Sequence, residues 1–569
     1  MTTLAAAQKS ALTPLFNNLP TAWSILIYDV PSRSIMSPLL TVQTLRSLGV
    51  TLHLLITSSR QPVTGVSGVY LLTPTPSNVD MLISDVNKGL YPSGVHVNWT
   101  TKLSRELLER LGRGLVQGGN QGNIKGMWDR HTNFLTMNPN VFTLSIPGSF
   151  ARSNGGDIKD IEAFVSETAF GLMSVAGCLR ESSGDVVVRC EKGGCAEMVG
   201  RKLCSLIKGN ASGGGKGVGG RPVVVIVDRT KHVKAMCGHS SSYQALMADV
   251  LEYKGGKATD GEGGKWEVGE DEEWWGANKF KSFPEAVEGN GKELKEVEKE
   301  EAKLRGINPS TTTGLLGAVS DLPALLARKK SLETHTSILT ACMQRIGERD
   351  IPQFFDVESR LGRGVGEKLE EEVISLIREK GSDGDKVRLA VIYGLSDGVS
   401  VGSLQKVWDA LPEASKGGKL FDNLTQIRSV SNLGSAMSAN TPPHSGNNVL
   451  LNLATGVGSS LVAGAREKLA GLVGAGDLAS TTRIVNNIMA AREGTEDDEY
   501  LYLDPRVHPP AINIPRSQRP RAETVVVFGV GGGGWGEYGN MAVNKGDWNL
   551  IYGGTEILEG EEFLKQMAS

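Results

Sequence analysis

Ser24-Ile-Leu-Ile-Tyr-Asp29 is a short apolar run bounded by polar residues, the pattern of a strand buried on both faces, and the alternation it opens decides the fold. After a turn, Ser37 and Pro38 offer an N-cap and a first-turn proline. Leu39, Val42, Leu45 and Leu48 then recur at helical spacing, and Gly49 ends the helix. Val50 to Ile56 and Val69 to Leu72 read as further strands. Ser77 reads as the cap of a helix carrying Val79, Leu82, Ile83 and Val86. Val95 to Val97 is a short strand, Leu103 to Val116 a helix, and Val141 to Leu144 the strand expected to close the module. This alternation predicts βα units around a mainly parallel sheet over residues 1–145.

A second α/β region is expected over 146–253, with a helix from Ile158 to Cys178, strand Val186 to Arg189, helix Glu197 to Ile207, strand Val223 to Asp228 and helix Tyr243 to Tyr253. The tail, 481–569, returns to the same grammar with strands Val525 to Phe528 and Asn549 to Tyr552. Two strands and a helix make no core alone, so the tail should rejoin the second region's sheet. Between them, 254–480 is mainly helical. Glu262 to Glu301 is acid-rich and reads as an exposed connection with one solvated helix. Leu325, Leu332, Leu339 and Ile346 repeat every seven residues on one face of a long helix. Ser429 to Asn447 reads as a mobile loop.

Lys and Arg total 60 against 63 Asp and Glu, so no basic excess asks for a nucleic-acid partner. The six cysteines fit neither a zinc spacing nor a disulfide framework, which predicts reduced thiols and a cytoplasmic protein. Neither a signal peptide nor a membrane span is expected.

Three catalytic patterns compete for attention. Gly529, Gly531 and Gly534 fit G-x-G-x-x-G after a strand, but no acidic residue ends the next strand and too little chain remains for a nucleotide-binding half, so a structural turn is expected. Ser396 and Ser400 each sit in G-x-S-x-G, with Asp504 and His508 following in hydrolase order. The segment before them has helical rather than strand spacing, leaving a serine hydrolase as the alternative reading. Ser212 to Lys216 is similar to a phosphate loop, yet Gly217 stands where Ser or Thr would hold magnesium. No histidine pair has metal-ligand spacing. Catalytic residues, cofactors and metals are therefore all expected to be absent.

Four sets of segments remain: Ile25 to Asp29 with Ser37 to Leu40 and Gly49 to Leu55; Arg221 to Arg229 with His239, Tyr243 to Leu246 and Asp249 to Leu251; Leu322 to Leu326 with Lys329, Lys330, His335 and Phe354-Phe355; and Thr482 to Ile484, Asn487, Tyr502, Asp504-Pro505, Glu537-Tyr538 and Ile551 to Gly553. Together they resemble the Sec/Munc (SM) family of syntaxin-binding proteins, in its Sly branch. The sequence departs from the family pattern at His232, Met236 and Gly238-His239, and the segment before Leu322 is short for a self-inhibitory lid. The resemblance implies a three-domain arch, α/β plus α, with a mainly helical domain inserted in the second of two parallel-sheet domains. It further implies binding of a Golgi/ER syntaxin (Qa-SNARE), promotion of SNARE assembly in ER-to-Golgi fusion, peripheral attachment to ER and Golgi membranes through SNAREs, and a chain monomeric alone. Matched to that branch, Leu108, Leu111, Gly112, Ile124 and Met127 form the pocket for the syntaxin N-terminal peptide, with Ile124 and Met127 expected one turn apart on a helix. Arg328, Lys329 and Lys330, on the polar flank of the long helix, are expected to contact SNARE helices.

Overall fold

The computed structural model describes all residues except 1, 18, 156, 184, 210–219, 271, 306–311, 363, 438–479, 508–513, 520 and 521. The first sheet contains β1 (Ser24–Tyr28), β2 (Val50–Leu55), β3 (Ser67–Leu72), β4 (Val95–Trp99) and β5 (Ile124–Asp129), all parallel, in the order β2-β1-β3-β4-β5. Asp29 ends β1 and organises the turn beyond it, accepting hydrogen bonds from Ser32 N (2.9 Å), Thr73 N (3.0 Å) and Asn78 Nδ2 (2.6 Å). This cap, with Pro31 in the first turn, starts a helix at Val30–Met36, nearer the strand than the spacing of apolar residues predicts. Ser37 and Pro38 lie in the turn before a second helix, Val42–Ser47, capped by Thr41. Thr75, followed by Pro76, caps helix Pro76–Asn87 in place of Ser77.

The second sheet draws on both ends of the chain. Its strands are β6 (Leu135–Asn138), β7 (Val141–Thr143), β8 (Val187–Glu191) and β9 (Val223–Asp228). After a small antiparallel sheet of β10 (Glu252–Lys254), β11 (Lys257–Thr259) and β12 (Lys265–Glu267) come β13 (Tyr500–Leu503), β14 (Thr524–Val530) and β15 (Asn549–Gly554). The order β13-β8-β9-β14-β15-β7-β6 places β14 and β15 in the middle and β13 at one edge, so the tail does rejoin this sheet. Val141–Thr143 pairs with β15, and the strand expected to close the first module belongs here instead. Helix Ile158–Ser183 covers one face. Its stretch to Arg180 is long and apolar enough to cross a membrane, but most of it is buried inside the protein.

Between β12 and β13 lie helices Glu273–Asn278, Phe283–Arg305, Thr312–Glu348, Ile351–Leu361, Glu367–Glu379, Asp383–Gly394, Val401–Asp409, Leu420–Met437 and Ser480–Ala490. Tyr253 sits in β10 rather than at a helix end. The acid-rich run is not merely a solvated connection, because Trp274, Trp275 and Phe283 are buried around Tyr243 and His335. Ser429 to Met437 is helical rather than loop, and 438–447 falls outside the described residues. The result is the expected α/β plus α architecture, a mainly helical region inserted into the second sheet's sequence.

Candidate functional site

Ser104 accepts from Leu107 N and starts helix Arg105–Gly118, which returns over the first sheet between β4 and β5. Leu111 (2% exposed) and Leu115 enter the core beneath it with Val79, Val97 and Trp99. Against helix Pro76–Asn87 the chain uses Arg110, which pairs with Asp80 (2.6 Å), and Gly114, where an added Cβ would fall 2.6 Å from Ile83 Cδ1. Leu108, Gly112 and Val116 recur one turn apart on the flank turned away from that neighbour, the side of the open edge strand β5. Leu108 is 45% and Val116 66% exposed, and a Cβ on Gly112 would meet nothing within 4 Å.

Ile124 and Met127 lie on β5, a strand where a helix was expected. Residues three apart on a regular strand face opposite ways, but a bulge between Val95 and His96 pairs Val95 with Ile124 and Val97 with Met127. Lys125 is the extra residue, and both apolar side chains therefore share the face covered by the helix. Ile124 packs against the core, while Met127 is 41% exposed. The structure thus leaves Leu108, Gly112 and Met127 accessible and commits Leu111 and Ile124 to packing. Val116, absent from the residues expected at the pocket, continues the stripe at the spacing that links Leu108 to Gly112. Exposed Lys102, Arg105, Arg113 and Lys125 outnumber exposed Glu106, Glu109 and Asp129 around it, with Arg105 and Arg113 both paired to Glu109.

The glycine turn has a different role. In the second sheet, β8 reaches β9 through helix Gly194–Gly209 on one face, and β14 reaches β15 through helix Trp535–Asn544 on the other. Open α/β sheets hold ligands beyond the carboxyl ends of their strands, and in this sheet the adjacent ends of β9 and β14 offer such a gap. Here Arg229 fills it. Its Nε donates to the Gly532 carbonyl (2.8 Å) and its two Nη atoms to the Glu537 carboxylate (2.9 and 2.8 Å), all buried. Gly531 and Gly532 take φ of 94° and 123° to bend around it. Burial would raise the Glu537 carboxyl, yet Arg229 and the Tyr552 hydroxyl hold it down to about 2. The turn binds the chain's own arginine.

Compared with known proteins, residues 24–566 match the model of the Sec1 family. The chain belongs to the Sec1 family. It is 30% identical to the SEC1 family transport protein SLY1 of Arabidopsis thaliana over 96% of this chain and 91% of that protein. Protein sly1 of Schizosaccharomyces pombe is likewise 30% identical, over 97% and 93%. Among solved structures, Sly1p in complex with an N-terminal peptide of Sed5p has the same fold, with a TM-score of 0.76 and 24% identity over 100% of this chain and 98% of that one. The Unc18–syntaxin 1 complex from Monosiga brevicollis matches at 0.74 and 17%, over 100% and 99%.

The remaining candidates in this Sec1-family chain divide sharply. Arg328 pairs with Glu293 (2.9 Å) and Lys329 with Glu301 (2.7 Å), both on helix Phe283–Arg305, so these two cations tie the helical hairpin together while Lys330 stays exposed. Leu332, Leu339 and Ile346 are buried and Leu325 half-buried in core packing. Ser396 follows helix Asp383–Gly394 instead of a strand, and its Oγ donates to the Ile392 carbonyl (2.8 Å). Ser400 caps helix Val401–Asp409. Asp504 is held by Arg221 (2.6 and 2.7 Å), while His508 and Ser212 to Lys216 lie outside the described residues. Among the described residues, no His, Cys, Asp or Glu group of three is arranged to hold a metal.

Proposed function

We propose that this chain binds a syntaxin-type Qa-SNARE of the ER and Golgi, and promotes SNARE assembly for fusion between these membranes without making or breaking covalent bonds. The observation that carries the reading is the near full-length match to Sly1-type relatives, joined to a fold match with Sly1p bound to an N-terminal Sed5p peptide. The Leu108–Gly112–Val116 stripe beside Met127 supports a site for such a peptide: it is apolar, exposed and bordered by cations, and its bare Gly112 lets a partner ring approach backbone. The helical hairpin, through Lys330 and its neighbours, would meet the SNARE helices. On this reading the protein works on the cytoplasmic face, held to membranes through its SNARE partner, and the first sheet with its helices, the second sheet with its strands from 135–143, 187–228 and 500–554, and the inserted mainly helical region act as its three domains.

The test is capture of full-length ER–Golgi syntaxins, with and without their N-terminal peptides, by the purified protein, alongside SNARE-driven liposome fusion. Retention of the intact syntaxin, weakened by peptide removal, and faster fusion are expected. Failure to retain any intact syntaxin would overturn the reading.

A further inference from the structure

A buried ionic cluster joins three separate parts of the chain. His239 lies beyond the Asp228–Arg229 turn of the second sheet, and Asp249 is on helix Tyr243–Val250 beside it. Glu358 comes from helix Ile351–Leu361, Asp385 and Arg388 from Asp383–Gly394, and Arg349 from the turn before Ile351. Gly560, at the start of the last helix, closes over the cluster, where a Cβ would fall 2.7 Å from Arg388 Nε.

The imidazole is fully buried and faces a carboxylate at each nitrogen, Glu358 Oε1 at 2.7 Å from Nδ1 and Asp385 Oδ1 at 3.0 Å from Nε2. Both carboxylates are committed acceptors. Glu358 also receives His239 N (2.8 Å), while Asp385 receives Ser382 N and Arg349 Nε (3.0 Å each). A neutral imidazole has one N–H and would turn a lone pair toward one of these oxygens. The charges agree with this. Arg349, Arg388 and a protonated His239 balance Asp249, Glu358 and Asp385, with Arg388 Nη1 donating to both oxygens of Asp249 (2.9 and 2.8 Å). Glu559 also faces the cluster, and burial followed by Asp249 favours its neutral form. Removing the histidine proton leaves an uncompensated buried anion, which is strongly destabilising.

We propose that His239 is a proton-held latch. The second α/β domain and the helical region are locked while both ring nitrogens carry protons, and the joint loosens on alkalinisation. The sign is set by the surroundings. Burial and Arg388 oppose the charged ring, but Glu358 and Asp385 overcome them and its pKa lies above the ordinary histidine value. The latch is therefore complete below about pH 6.5, the unfolded value, and is lost as pH rises through the raised one. On the acid side Asp249 is held down to about 2 against burial by Arg388 and Arg349. The latch is independent of what the chain binds.

Two measurements on the full chain decide it. Ring ¹⁵N NMR of His239 should give two protonated nitrogens near neutral pH. Amide exchange, corrected for its intrinsic pH dependence, should lose about tenfold of its protection in Ile351–Leu361 and Asp383–Gly394 between about pH 7 and pH 9, with the first sheet unchanged, in a Glu559→Gln background that removes the carboxyl burial pushes up to about 8. His239→Lys keeps a cation and should flatten that dependence; if this variant does not fold, the measurements that retain His239 stand alone. A neutral tautomer near pH 7, or protection in these helices independent of pH, would overturn the latch.

Discussion

Replacing Gly112 with leucine should stabilise the first domain and weaken partner binding at once, two effects that a core position could not combine. Gly112 lies in mid-helix with ordinary right-handed backbone, and a Cβ there meets nothing within 4 Å. Removing glycine from such a position gains about 0.5–1 kcal/mol of stability, from the helix preference and the less flexible unfolded chain. The new side chain projects between Leu108 and Val116 and occupies the space a partner's apolar residue would use. Losing the burial of one such residue costs roughly 1.5–3 kcal/mol, or about 10- to 150-fold in Kd. Leu111→Ala is the contrast. At 2% exposure it should destabilise by about 2–5 kcal/mol through the cavity it leaves. Urea unfolding gives the stabilities, and fluorescence anisotropy with a labelled N-terminal peptide of an ER–Golgi syntaxin gives the affinities. A Gly112→Leu protein that is more stable and binds with unchanged affinity puts the peptide elsewhere. One that is less stable refutes the open-space geometry itself.

Arg229→Met should cost about 3–5 kcal/mol, because Glu537 is left charged and buried. In the wild type Glu537 is held down to about 2, so its contribution is present above the ordinary carboxyl value and lost as pH falls through the folded one. Without Arg229 the order reverses and the variant should gain stability on acidification; adding Glu537→Gln should recover part of the loss, and urea midpoints across pH check both. Ser400→Ala should cost about 1 kcal/mol through the lost cap, while a fluorophosphonate probe should label neither Ser400 nor Ser396. Labelling that Ser396→Ala abolishes would revive the hydrolase reading.

Much of the architecture was legible where residue type and period agreed. Val223–Asp228 is strand residue for residue as read, because six successive β-branched or acidic-ended positions leave a helix no polar face. The misses have local causes. In Ile124–Asp129, Lys125 and Gly126 break the alternation, since the bulge inserts a residue with no partner on β4. Three-residue strands such as Lys257–Thr259 carry too little pattern to separate from turns. Trp274 and Trp275 were hidden in an acidic run, although paired tryptophans seldom stay in water. At the proposed groove, the i, i+3, i+4 spacing groups Leu108, Leu111 and Gly112 on one face of their helix. It could not say that Leu111, one residue before Gly112, turns to the other side, because which face of a helix meets the sheet is set by its partner, Pro76–Asn87.

Both sheets are built on a plan that elsewhere holds nucleotides, and the way each closes its crevice explains where binding is left to occur. In the first, the strand order reverses between β1 and β3, where ligands of such sheets bind. Asp29 stands at that point, but its carboxylate is already shared among Ser32, Thr73 and Asn78. In the second, the gap between β9 and β14 is filled by Arg229 and closed by the glycine turn and Glu537. Each crevice holds a charge that the chain satisfies itself, and a ligand would have to displace two or three charge-assisted hydrogen bonds to enter, each worth roughly 1.5–3 kcal/mol. Affinity is cheaper to find at the periphery, where Leu108, Val116 and Met127 are exposed and β5 leaves its edge unpaired. A sheet closed at its crevice and open at its rim suits an extended partner chain better than a small molecule.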